Sequence, residues 1–151
     1  MGIGQPPDWR DARTLALDTS AFIYHLEAHP VHASGLLPIF RRIEGGRCRG
    51  VSSTLTFLEV LVHPYRMGDD EKRAALSALL ASFPGVTWVP LDLVVADRAA
   101  FLRARYRLRT PDAIQLATAL HAGAEVFLTN DRDLRRVEEV PVLLIEECVL
   151  E

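Results

Sequence analysis

The sequence is almost without lysine. Sixteen of its seventeen basic residues are arginine, and Lys72 stands alone. Any chemistry that needs a lysine beside an acid must therefore use that one residue. Cysteine is nearly absent too: Cys48 and Cys148 are far apart and lie beside apolar, strand-like segments. One such pair reads as two reduced core thiols rather than as a disulfide framework. No apolar run reaches the roughly 18 residues that span a bilayer, and no apolar stretch near the N-terminus suits export. A cytoplasmic protein without membrane contact is expected. A positive excess is also missing, since 17 basic residues face 20 acidic ones, a net charge of −3. No global cationic field draws in a polyanion, so any nucleic-acid contact must be local.

What remains is the composition of one globular domain: 151 residues, 49% hydrophobic and 25% charged, enough to bury a single sizeable core. Residues 1–13, with Pro6, Pro7 and several charges, read as a flexible leader, and residues 14–151 as one domain. Short β-rich runs then alternate with helical patterns. Strands are expected at Leu15–Asp18, around Val51, at Val86–Val89, Val126–Thr129 and Val142–Ile145. Thr19 or Ser20 is expected to cap a helix carrying Phe22, Ile23 and Leu26, and a second helix spans 34–44 before Gly45-Gly46. Ser53 caps a helix that Pro64 and Gly68 close, and Asp69 and Asp70 open the next. Leu91 to about Tyr106 forms another, and Thr110-Pro111 begins the last long helix with a cap and an early proline. A short helix is expected over Asp131–Val137. Strands joined by helices of this length imply crossovers and a parallel sheet covered on both faces, the α/β class.

In such sheets ligands bind beyond the carboxyl ends of the strands, where the connectivity reverses. Asp18 ends the first strand, Asp131 follows the fourth, and Asp112 lies in the first turn of the Thr110 helix. Glu59 stands among Leu55, Phe57, Leu58, Val60 and Leu61 with no arginine or lysine at helical spacing. An ionised carboxylate on an apolar face is costly unless partnered, and a bound cation is the economical partner. Each acid also has a plainer explanation: Asp18 and Asp131 as helix caps, Asp112 as a residue favoured by the helix dipole, Glu59 as half of a distant ion pair. Those explanations do not account for all four falling at strand ends or helix entrances of one crevice. His25, His29 and His32 lack a cysteine partner and are split by Pro30, so they read as structural rather than as a zinc site; His63, one turn from Glu59, could touch the crevice rim.

The segments Leu17-Asp18-Thr19-Ser20, Thr56-Phe57-Leu58-Glu59-Val60, Arg109-Thr110-Pro111-Asp112-Ala113-Ile114-Gln115-Leu116-Ala117-Thr118-Ala119 and Phe127-Leu128-Thr129-Asn130-Asp131-Arg132-Asp133-Leu134 resemble, in order and spacing, the four signature segments of PIN-domain ribonucleases. More narrowly they resemble the VapC-like toxins of bacterial toxin–antitoxin pairs, over the chain from about Thr14 to Ile145. The resemblance implies a three-layer sandwich with a central parallel sheet of about five strands. It also implies Mg²⁺ or Mn²⁺ held by Asp18, Glu59, Asp112 and Asp131, with RNA as substrate. Ser20 or Thr129 would lend a hydroxyl to the metal's water shell and Asn130 would orient the site. Asp133 is a second candidate beside Asp131 for the fourth acidic position. A homodimer and a small antitoxin partner are further implications.

Such ions prefer oxygen ligands, keep several waters and are held by a few carboxylates plus substrate phosphate; hydrolysis then proceeds with water as nucleophile. Arg103, Arg105, Arg107 and Arg109 around Tyr106, with Arg132 beyond Asp131, are candidates for local RNA contact. A phosphoacceptor receiver domain is the first rival, but it relies on a lysine beside its aspartate, and Lys72 lies in a charged surface run. A haloacid-dehalogenase-like phosphatase would want an aspartate two places after Asp18, where this chain has Ser20. The other alternative is a catalytically silent PIN-like binding module.

Overall fold

The structure, a computed structural model, describes residues 7–148. Five strands, β1 (Thr14–Leu17), β2 (Arg49–Ser53), β3 (Val86–Val89), β4 (Val126–Thr129) and β5 (Val142–Leu144), form one sheet in the order β3-β2-β1-β4-β5. Every neighbouring pair is parallel, with Ala16 opposite Val51 on one side and Phe127 on the other. The helices are α1 (Thr19–Leu26), α2 (Ala33–Glu44), α3 (Thr54–Arg66), α4 (Asp70–Ala81), α5 (Leu93–Tyr106) and α6 (Thr110–His121), with a 3-10 turn at Arg132–Arg136.

Side chains of a strand alternate between faces, and here the alternation builds two cores. Leu15, Leu17, Val126 and Leu128 join Phe22, Phe40, Ile43 and Leu80 on one face. Ala16, Phe127, Val142 and Leu144 join Val95, Leu102, Leu116 and Leu134 on the other. The crossovers carrying α1 to α4 thus cover one face, and α5, α6 and the 3-10 turn cover the second, giving a three-layer α/β sandwich. The chain changes face where β4 is laid beside β1. That is the topological switch point, and the loops leaving β1 and β4 diverge there.

Local chemistry sets most boundaries. Ser53 caps α3 by accepting from the Leu55 backbone N–H, and Asp69 caps α4 by accepting from that of Lys72. Three expectations shift. The α1 cap is Asp18, not Thr19 or Ser20. Helix α6 starts at Thr110 with Arg109 before it and no side-chain cap. Pro64 lies inside α3, near its end, rather than closing it. Gly85, at φ +77°, makes the turn into β3 where a Cβ would run into the Ile43 carbonyl oxygen.

Residues 7–13 also differ from the leader expected over 1–13. Trp9–Asp11 form a 3-10 turn, Ala12 is buried, and Trp9 packs on the first core. Two apolar residues suffice to dock the segment despite its charges. Residues 1–6 of that leader, and 149–151 of the domain, lie outside the described residues. Both cysteines are buried and unpaired. No helix among the described residues is long and apolar enough to cross a membrane.

Candidate active site

Asp18 stands at the switch point as the last residue before α1. Its Oδ1 accepts from the Thr19 backbone N–H at 2.8 Å and its Oδ2 from the Thr129 hydroxyl at 2.7 Å. Thr129 ends β4 and is fully buried; its hydroxyl oxygen accepts in turn from the Asp131 backbone N–H at 3.1 Å. One hydroxyl thereby braces the two loops that flank the cleft. Burial, and then the negative charges of Asp112 and Glu59, push the Asp18 carboxyl up to about 6, against the bonds from Thr129 and Thr19 that pull it down.

The first turn of α6 brings Asp112 to the same place. Its carboxylate is 17% exposed, and Oδ2 accepts from Arg109 Nε at 3.2 Å. Asp131 caps the 3-10 turn through the Asp133 backbone N–H, 3.0 Å away. Glu59 departs from expectation: it is exposed, not set in an apolar surround. The packing face of α3 is Thr56, Val60, Leu61 and Pro64, whereas Leu58, its neighbour in sequence, is 57% exposed. Its Oε1 accepts from the Thr19 hydroxyl at 2.8 Å. The carboxylates of Asp18, Glu59, Asp112 and Asp131 line a single cleft of about 210 Å³, with Ser20 and Asn130 in its wall.

Asp133 is turned away: its carboxylate is bound by Arg136 at 3.0 and 3.2 Å, and it does not line the cleft. Asn130 donates to the Tyr24 hydroxyl at 2.7 Å, and its backbone N–H to the Ser20 hydroxyl at 3.3 Å, so both residues tie α1 to the β4 loop. Of the arginines singled out in the sequence, Arg109 reaches the cleft. Arg105 pairs with Glu138 and Glu139, Arg132 with Glu146 at 2.7 Å, Arg107 ends α5 in a left-handed conformation, and Arg103 lines an apolar groove between α5 and α6. His25 stacks on Phe40, and His29 accepts from the backbone N–H groups of Val31 and His32. Lys72 and His63 line a second, larger groove of about 370 Å³ that shares Glu59 with the acidic cleft.

A buried polar cluster beneath the acids was not foreseen. Gln115, 3% exposed, donates through Nε2 to Thr56 Oγ1 at 2.9 Å and Thr19 Oγ1 at 3.3 Å. Its signal in the sequence is a polar residue inside the buried stripe Ala113-Ile114-Gln115-Leu116-Ala117 of α6.

The cleft's donors are oxygens, and four acids face one lining cation, Arg109. That set fits a hard divalent ion chemically, and the Asp18 carboxyl, raised chiefly by burial and further by the charges of Asp112 and Glu59, is costly to ionise there without a cation. Among the described residues, no three acidic, histidine or cysteine side chains stand close enough together to hold a metal ion as they are; the acids ring the cleft.

Sheet order, layering and an acidic cleft at the switch point define a PIN-like α/β sandwich. A family model described as PIN domain matches residues 15–140, and the chain belongs to that family. No curated protein sequence matches it significantly. Among solved structures, the DNA-bound VapBC of Salmonella typhimurium is 19% identical at a TM-score of 0.71, the match covering 87% of this chain and 98% of that one. VapBC2 of Rickettsia felis, bound to a DNA fragment from its promoter, is 13% identical at 0.68, covering 87% and 98%. A toxin–antitoxin complex from Klebsiella pneumoniae is 23% identical at 0.60, covering 83% and 94%. At these identities the likeness shows the fold.

Proposed function

We propose that the protein is a Mg²⁺- or Mn²⁺-dependent endoribonuclease that hydrolyses RNA phosphodiester bonds, and that it is the cytoplasmic toxin of a type II toxin–antitoxin pair. The observation that carries the reading is the convergence of Asp18, Glu59, Asp112 and Asp131 on one cleft lined by a single cation, Arg109. The toxin role draws on the resemblance to VapBC complexes. A small antitoxin and a second copy of the chain are the proposed protein partners.

In this reading the carboxylates of Asp18, Glu59, Asp112 and Asp131 would hold the ion once drawn closer than they stand here, and Asp133, bound to Arg136, takes no part. Thr129 keeps Asp18 aimed into the cleft from below, so its hydroxyl serves the carboxylate before any water. Ser20 and Asn130 hold α1 against the β4 loop and set the width of the cleft. Arg109, its side chain 79% exposed beside Asp112, is placed to meet a backbone phosphate, supplying the local positive charge that the whole chain lacks. When bound, a divalent ion makes a water nucleophilic, neutralises a phosphoryl oxygen and stabilises the leaving oxygen. Before an ion is bound, Asp18 retains a proton in mildly acidic solution, which relieves repulsion in the cleft.

The test is digestion of total RNA by the purified protein with Mn²⁺, with EDTA, and by Asp112→Asn. Cleavage that requires the ion and Asp112 is expected. Intact RNA under all conditions points to a silent binding module, and uptake of a phosphoryl group to a receiver domain.

A further inference from the structure

The acidic cleft rests on a hydrogen-bonded chain whose direction follows from donor and acceptor chemistry. Gln115 sits one turn along α6 from Asp112, and its Nε2 is a donor only, with two hydrogens. The nitrogen lies 2.9 Å from Thr56 Oγ1 and 3.3 Å from Thr19 Oγ1 and donates to both. Thr56 Oγ1 and Thr19 Oγ1 are 3.1 Å apart, and Thr19 Oγ1 lies 2.8 Å from Glu59 Oε1. An ionised carboxylate only accepts, so the single Thr19 hydroxyl hydrogen points at Glu59. Thr56 must then donate to Thr19, whose two lone pairs receive Gln115 and Thr56. The chain therefore runs from Gln115 through Thr56 and Thr19 to Glu59.

Without Gln115 both threonine oxygens lose the donor that ties them to α6. Thr19 then keeps Thr56 as its one buried partner, and the hydroxyl that it offers Glu59, an exposed side chain on α3, is less firmly placed. The three threonine and glutamine side chains are all buried, where partner groups polarise one another and an unpaired hydroxyl is costly. The network also joins three helices that meet nowhere near each other in sequence, with Thr19 and Gln115 separated by 96 positions.

We propose that Gln115 is a positioning residue, which by donating to Thr56 and Thr19 braces their hydroxyl oxygens from α6 so that Thr19 holds the Glu59 carboxylate at the cleft beside Asp112. It rests on the metal-dependent reading only for what Glu59 is held to do.

The test is Mn²⁺ affinity of the full chain, read from the free-ion electron paramagnetic resonance signal, with the thermal midpoint measured alongside. Thr19→Val and Gln115→Met should each weaken Mn²⁺ binding on the order of 10-fold, as removal of outer-shell partners of metal ligands does. Thr19→Ser should restore it. The double variant should bind no more weakly than Thr19→Val alone, because both changes act on one chain. A Gln115→Met protein that loses thermal stability but keeps the parent's Mn²⁺ affinity would make Gln115 a helix-packing residue and overturn the inference alone. Additive losses in the double variant would overturn it too. A parent that binds no Mn²⁺ would overturn the inference and the metal-dependent reading together.

Discussion

Asp18→Asn should change the stability of the metal-free protein in opposite directions at the two ends of the pH scale. The Asp18 carboxyl is raised from 3.8 to about 6, chiefly by burial and then by Asp112 and Glu59. The folded protein therefore binds this proton more tightly than the unfolded chain does. Stability from the group is complete below the unfolded value and is lost as pH rises through about 6. At about 1.4 kcal/mol for each tenfold change in proton affinity, ionised Asp18 costs the apo fold roughly 3 kcal/mol in neutral solution. Asparagine stays neutral throughout and can still accept from the Thr19 backbone N–H, but its amide cannot accept from Thr129. Loss of that one bond costs about 1 kcal/mol. The variant should thus be about 2 kcal/mol more stable than the parent near pH 7.5 and about 1 kcal/mol less stable near pH 4. Urea unfolding in EDTA at the two pH values reads this directly as a crossing of midpoints. An equal loss at both would mean that Asp18 serves as the α1 cap alone, and the charge argument would fail.

Mn²⁺ at about 100 times its dissociation constant should stabilise the parent by roughly 2.7 kcal/mol, and calorimetry should show no such gain for Asp18→Asn or Asp112→Asn. Asp131→Asn should abolish RNA cleavage while Asp133→Asn leaves it intact, because Asp133 is committed to Arg136 outside the cleft; equal losses in a gel assay would reject that assignment. Arg109→Ala should raise KM for RNA several-fold, whereas Arg132→Ala, removing an ion pair with Glu146, should leave KM unchanged. Gly85→Ala should lower the thermal midpoint by several degrees, combining a left-handed φ with a collision against Ile43.

Much of the chain's organisation is written in short windows. Ser53 and Asp69 announce helix starts because a cap bonds within its own first turn. Val86–Val89 and Val126–Thr129 read as strands with the observed bounds. Asp18, Asp112 and Asp131 are legible because each follows a strand or opens a helix, and the direction of a parallel sheet carries those points to one end. Where the window misled, burial was inferred from sequence neighbours. Glu59 lies among apolar residues in sequence but not on the packing face of α3, and Trp9 docks a segment whose charges suggested freedom.

By itself, then, the sequence determined the α/β alternation and the Ser53 and Asp69 caps, since each follows from interactions within about four residues or from the period of a strand. Tertiary structure alone decided the order β3-β2-β1-β4-β5, the choice of Asp131 over Asp133 at the cleft, the diversion of Arg105 and Arg132 into ion pairs, and the Gln115–Thr56–Thr19 chain beneath Glu59. These depend on which faces pack together, and contacts between groups dozens of residues apart leave no periodicity for a local reading to detect.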